Sequence, residues 1–149
     1  MKTVVFASIH DAARCKIAAA FFNAFTMPSL ARGISGGVRP VLWVAPDVVQ
    51  VMKEVGLDVS GRPQVLPRDA LASAALIVNF VGADGCSTFP GVPHEIWDVP
   101  DPHNQPLDRV REIRDRLRAR VWRLVAKQGW YKLQPARLLH RQAELVQHA

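Results

Sequence analysis

Two rhythms of apolar and polar residues alternate along this chain. Short apolar or β-branched runs at 3–7, 31–35, 76–80 and 95–99 read as strands, and helix-length amphipathic segments lie between them. Residues 12–25 place Ile17, Ala20, Phe21 and Ala24 at helical spacing before Met27-Pro28-Ser29 ends the helix. A second helix over 46–55 starts on Pro46, carries Val48, Val49, Met52 and Val55 on one face and stops at Gly56. A short helix over 68–74 precedes the 76–80 run, which is apolar enough to be buried on both faces. The segment 82–93, rich in Gly, Ser, Thr and Pro, predicts an irregular loop. After Pro100-Asp101-Pro102 comes a helix over 107–127 with a stripe of Val110, Ile113, Leu117, Val121 and Leu124, closed by Gly129. The alternation predicts an α/β three-layer sandwich, with helices on both faces of a central four-stranded parallel sheet. Pro135 permits one last helix, so the chain divides into a domain at 1–128 and a C-terminal helical extension at 129–149.

Composition narrows the class. A chain of 149 residues suits one domain, able to bury roughly 70% of its unfolded surface without a disulfide or metal. No apolar run of about 18 residues predicts a membrane span, and the N-terminus enters a strand directly, so a cytoplasmic protein is expected. Cys15 and Cys86 are too few for a structural zinc site, and neither metal nor cofactor is expected. The net charge of +6 is concentrated in Arg109, Arg111, Arg114, Arg116, Arg118, Arg120 and Arg123. Asp108, Glu112 and Asp115 are interleaved with them, which predicts a solvated helix face. The arginine phases also spread around the helix, which argues against nucleic acid as the partner.

Chemistry concentrates in the turn between the first strand and first helix, Ser8-Ile9-His10-Asp11-Ala12-Ala13-Arg14-Cys15. Such a turn aims backbone N–H groups and a helix N-terminus at one point, which favours an anion. Arg14, six positions after Ser8, has the spacing to grip two oxygens of that anion. Ser8 stands where a nucleophilic cysteine is expected.

The order of elements resembles the low-molecular-weight protein-tyrosine-phosphatase family, and more closely its thioredoxin- or glutaredoxin-coupled arsenate reductase branch. That branch has Cys-Val-His-Asn-Ala-Gly-Arg-Ser after its first strand, against Ser8 to Cys15 here. Further matches are Ile34-Ser35-Gly36-Gly37, the stretch Val55 to Arg62, and Pro100-Asp101-Pro102 ahead of Arg109 to Arg114. The resemblance covers about residues 2–125 and implies that family's fold, with Ser8 at the nucleophile position and Asp101 at the general-acid position. It also implies Ile9, His10, Asp11, Ala12, Ala13, Arg14 and Cys15 as the anion-binding loop, and Trp43 as a wall of the cleft.

Departures from the pattern touch the chemistry itself. A thiolate forms readily beside a helix terminus and an arginine, whereas a serine alkoxide does not, so turnover in the family manner is expected to be lost or much reduced. Asp11 replaces asparagine, and a carboxylate in the cradle opposes a dianion unless it points out or is protonated; it could instead pair with Arg14 and fill the cradle from within. Of the branch's two relay cysteines, the first corresponds to Gly82 and the second to Cys86. Cys15 occupies the family's serine position, so Ser8 and Cys15 look exchanged; the helix start and Arg14 could lower the Cys15 pKa, but a small packed residue is the more expected role. Asp101 also suits a structural Asp-Pro turn.

Three functions follow. The first is a pseudoenzyme that binds an oxyanion such as phosphate, sulfate or arsenate, or binds a partner protein, with the C-terminal tail available for a partner or a homodimer. The second is an arsenate reductase or thiol redox enzyme or sensor using Cys15 and Cys86. The third is a basic-helix binder of nucleic acid or another acidic partner.

Overall fold

The computed structural model describes residues 1–80 and 87–132. The elements run β1 (Lys2–Ser8), α1 (Arg14–Phe25), β2 (Ala31–Gly37), α2 (Pro46–Lys53), α3 (Arg68–Ser73), β3 (Leu76–Asn79), β4 (His94–Ile96) and α4 (Leu107–Gln128). The four strands are parallel in the order β2-β1-β3-β4. This is the α/β sandwich that the alternating pattern predicts.

Side chains of a strand point alternately to its two faces, and β1 sorts its residues accordingly. Val4 and Phe6 enter the larger core with Ile17, Phe21, Phe22, Val48, Met52, Val110, Ile113 and Leu117 of α1, α2 and α4. Val5 and Ala7 enter a smaller core with Ile77 and Ala74, covered by Ala70 and Leu71 of α3 and by Leu66, Phe89 and Val92. The second face is therefore roofed by a six-residue helix and loop side chains. Gly33 of β2 lets the aromatics close up, since a Cβ there would sit 2.9 Å from Phe22. Phe6 meets Phe22 and Trp97 edge-on, at 5.8 and 6.0 Å between ring centres. The exposed edge of β2 is blunted locally by Asn23, whose amide donates to Gly33 O and accepts Gly33 N–H.

The structure differs from the sequence reading at several element ends and in the core stripe of α4. Helix α1 starts at Arg14 and not at residue 12, because Asp11 adopts a left-handed backbone (φ 52°) and Ala13 is non-helical. Strand β4 ends at Ile96, where Val99 N–H turns back to Trp97 O and leaves the ladder. On α4, Val125 is buried and Leu124 packs only partly against the core. Gly129 ends α4 in the left-handed conformation, donating to Ala126 O and Val125 O. Residues 130–132 then fold back on the end of α1, with Met27 N–H on Trp130 O and Lys132 N–H on Phe25 O. The predicted last helix at 135–149, like Gly82 and Cys86, lies outside the described residues.

Five of the seven α4 arginines, Arg109, Arg111, Arg114, Arg118 and Arg120, make contacts within the molecule, while Arg116 and Arg123 are exposed. Arg114, 9% exposed, donates to Val51 O, Glu54 and Asp115, and Arg111 binds Glu54 and Asp108. Arg118 lies over Phe21 and Arg120 over Trp97. The solvated face expected from the sequence is present, with Arg116 and Arg123 exposed beside i,i+3 ion pairs, and ring contacts tie Arg118 and Arg120 to it. Among the described residues, no helix is long and apolar enough to cross a membrane. Phe22, fully buried between Phe6 and Trp130, sets a test of the larger core. Phe22→Ala is expected to lower unfolding stability by about 3–5 kcal/mol in urea titrations.

Candidate oxyanion site

The site forms where β1 gives way to α1. Four loop carbonyls, those of Ser8, Ile9, His10 and Ala12, accept hydrogen bonds from Val38, Arg39, Val41 and Ala45 of the β2–α2 connection. Each peptide unit is planar and trans, so the N–H that follows an anchored carbonyl points the opposite way. The N–H groups of Ile9, His10, Asp11 and Ala13 therefore face away from that connection. Asp11 N–H shows the direction, reaching Ser8 Oγ at 3.0 Å. Together with the free N-terminal N–H groups of α1, the loop forms a concave set of donors suited to an oxyanion.

The loop can lie this close because Gly37 ends β2. A Cβ at that position would sit 2.6 Å from Ile9 O and 2.9 Å from Asp11 N, inside contact distance of the backbone. Above the loop opens a cleft of about 680 Å³ whose lining includes Ser8, His10, Ala13, Arg14, Trp43 and Asp101. Trp43 stands 73% exposed at its rim with Val41, and Asp47, His103 and Asn104 complete the mouth. Ile9 and Ala12 also line the cleft, and the exposed His10 turns its Nδ1 to Arg39 O at 3.3 Å.

Asp11 and Cys15 do not line the cleft. Both belong to the loop and the first turn of α1, with their side chains fully buried. The Asp11 carboxylate does not pair with Arg14 or fill the cradle. It accepts Gln64 N–H at 2.8 Å and the Cys15 thiol at 3.1 Å, and pairs with Lys16 Nζ at 3.3 Å. A buried carboxylate must find such partners, and here they hold it on the far side of the loop from the cleft. Its left-handed backbone explains the residue type, since Asn and Asp tolerate that conformation better than other non-glycine residues.

Cys15 is a small packed core residue and not a reactive thiol. Burial first, then the adjacent Asp11 carboxylate, pushes its thiol far above the ordinary range, although the Ser8 contact acts in the opposite direction. Arg14 does not lower it, because the guanidinium donates to Val99 O at 2.9 Å and lies over Phe80. The distance from Arg14 Nη2 to Asp101 Oδ2 is 3.9 Å. Asp101 also accepts His103 N–H at 3.0 Å, so it shapes the turn while its exposed carboxylate faces the cleft.

Lys16, Gln64 and Gly37 were not singled out as site residues by the sequence. A strand-end glycine in a Gly-Gly pair was the only signal for Gly37. Gln64, fifty-three positions from Asp11, had none.

The raised Cys15 pKa has a consequence for stability. The unfolded thiol ionises near its ordinary value of about 8.5 while the folded one keeps its proton, so stability falls as pH rises above that value. The expected slope is about 1.4 kcal/mol per pH unit, read from urea titrations between about pH 9 and 10, and absent in Cys15→Ser.

No model of a known protein family matches the sequence. Among curated proteins, the chain is similar to a putative arsenate reductase of Halobacterium salinarum, 37% identical over 93 residues. That match spans 59% of this chain and 63% of the relative. An arsenate reductase 2 of Staphylococcus haemolyticus is 30% identical over 91 residues, 58% of this chain and 69% of the relative. The structure superposes on an arsenate reductase from Archaeoglobus fulgidus with a TM-score of 0.72 and 27% identity, covering 83% of this chain and 98% of the other. Matching in fold and sequence, the chain belongs to the arsenate reductase family and has the low-molecular-weight protein-tyrosine-phosphatase fold.

Proposed function

We infer that this protein binds a tetrahedral oxyanion in the β1–α1 loop and does not turn it over by the thiolate chemistry of its family. The observation that carries this reading is the exchange of groups in the loop. A hydroxyl, Ser8, occupies the position facing the cleft, and the neighbouring sulfur, Cys15, is buried and protonated beneath it. The donors that bind an oxyanion do not depend on that sulfur. They are the N–H groups of Ile9, His10 and Ala13, the start of α1, and Arg14 once it leaves Val99 O.

The charge of Asp11 does not stand in the way. Its carboxylate is turned from the cleft and paired with Lys16, so the pair presents little net charge to a bound dianion. At the mouth, Trp43 and Val41 offer apolar surface to whatever carries the anion, and Asp47 and Asp101 discourage a second negative group. The ligand that fits has one tetrahedral anion and a body that is not acidic. The α4 arginines do not favour nucleic acid, since five of the seven are engaged in ion pairs and ring contacts within the molecule.

Calorimetry with phosphate, sulfate and arsenate tests the reading. Binding of at least one of these ions is expected, weakened roughly tenfold or more by Arg14→Ala, because a bidentate charge-assisted contact is lost. Wild-type protein should show no burst or steady turnover of an aryl phosphate, and no arsenate reduction with thioredoxin or glutaredoxin. Turnover that Arg14→Ala abolishes would defeat the assignment.

A further inference from the structure

Ser8, Cys15 and Asp11 form a directed chain that the family's thiolate mechanism does not use. Ser8 Oγ lies 3.0 Å from Cys15 Sγ, and Cys15 Sγ donates to Asp11 Oδ1 at 3.1 Å. A thiol has one proton, and Cys15 gives it to Asp11, so the Ser8 hydroxyl is the donor in the contact with sulfur. Asp11 N–H donates back to Ser8 Oγ at 3.0 Å, which supports negative charge as it develops on that oxygen. A buried carboxylate thus stands two hydrogen bonds from a hydroxyl that faces the cleft.

We propose that Ser8 is a single-use phosphoryl acceptor, its hydroxyl deprotonated through Cys15 to Asp11, and that the donor is a small acyl phosphate. The proposal rests on the oxyanion-binding reading of the same loop. The step balances within the site. Ser8 Oγ forms a bond to phosphorus while the phosphorus–oxygen bond to the acyl group breaks, its electron pair leaving on the carboxylate product. The Ser8 proton passes to Cys15 Sγ as the Cys15 proton passes to Asp11 Oδ1. Sulfur stays neutral throughout, in keeping with a buried thiol that does not ionise. Asp11 becomes neutral as the phosphoryl group arrives, which removes a negative charge beneath it at the moment that charge would be most costly.

The donor class follows from the nucleophile. A serine activated at one remove, by a carboxylate already engaged with Lys16 and Gln64 N–H, is weak and needs a good leaving group. An acyl phosphate supplies one without a proton from a general acid. The product is an alkyl phosphate ester whose alkoxide is a poor leaving group, so the reaction stops after one event. Asp11 and Cys15 are positioning residues in this scheme, and only Ser8 touches phosphorus.

Acetyl phosphate and intact-protein mass spectrometry provide the test, with phosphate affinity measured by calorimetry on every variant. One phosphoryl group per chain is expected, located on Ser8 by peptide fragmentation and absent from Ser8→Ala. Asp11→Asn and Cys15→Ala should slow labelling by ~100-fold, the usual scale of positioned proton transfer. Cys15→Ser, whose hydroxyl can also accept and donate, should keep the rate within about tenfold of wild type. A purely structural role for Cys15 would not separate serine from alanine in labelling while phosphate affinity is held. Wild-type protein that binds phosphate but leaves Ser8 unmodified would overturn the proposal and spare the binding reading. Labelling as fast in Asp11→Asn or Cys15→Ala as in wild type would overturn the relay. Absence of binding of phosphate, sulfate and arsenate alike in wild-type protein would defeat both.

Discussion

The burial of the Asp11 carboxylate organises this site. A charge removed from water needs partners, and the three it finds come from two parts of the chain: Cys15 and Lys16 in α1, and Gln64 N–H in the loop before α3. Meeting that requirement turns Asp11 into the left-handed region, sends its N–H to Ser8, and draws the first turn of α1 against the loop. The carbonyls on the other side of the loop are held by 38–45, and Gly37 lets the two layers approach. The cradle is shaped by bonds made behind it.

This arrangement resolves the apparent conflict between an anion site and an added carboxylate. A negative charge within a dry cradle would oppose a dianion by several kcal/mol at about 4 Å. Turned to the far side of the loop and paired with Lys16, it acts instead as structure. The same carboxylate, with burial, keeps Cys15 a thiol, so the sulfur that has moved across the loop has not carried the family's nucleophile with it.

Much of the fold was legible because it rests on local pattern. Alternation in β1 separates Val4 and Phe6 from Val5 and Ala7, and helical spacing in α4 marks Val110, Ile113, Leu117 and Val121. The loop could be read from Arg14 lying six residues beyond Ser8 between a strand and a helix. Side-chain direction could not. Whether Asp11 meets Arg14 or Lys16 depends on a backbone angle and on Gln64, which only the assembled fold brings near. Arg114 failed for a similar reason: it sits among interleaved charges in sequence, yet Glu54 and Val51 O draw it into the α2–α4 interface. Strand β4 was read too long because Trp97 and Val99 are buried as a strand would be, although Val99 N–H turns back to Trp97 O and does not continue the ladder.

A crystal structure grown in sulfate or arsenate tests the central claim most directly. The account predicts one ion within hydrogen-bonding distance of the Ile9, His10 and Ala13 amides, with Arg14 moved from Val99 O onto it and the Asp11–Lys16 pair unchanged. An empty loop at saturating ion, or an Asp11 carboxylate turned into the cradle, would contradict it.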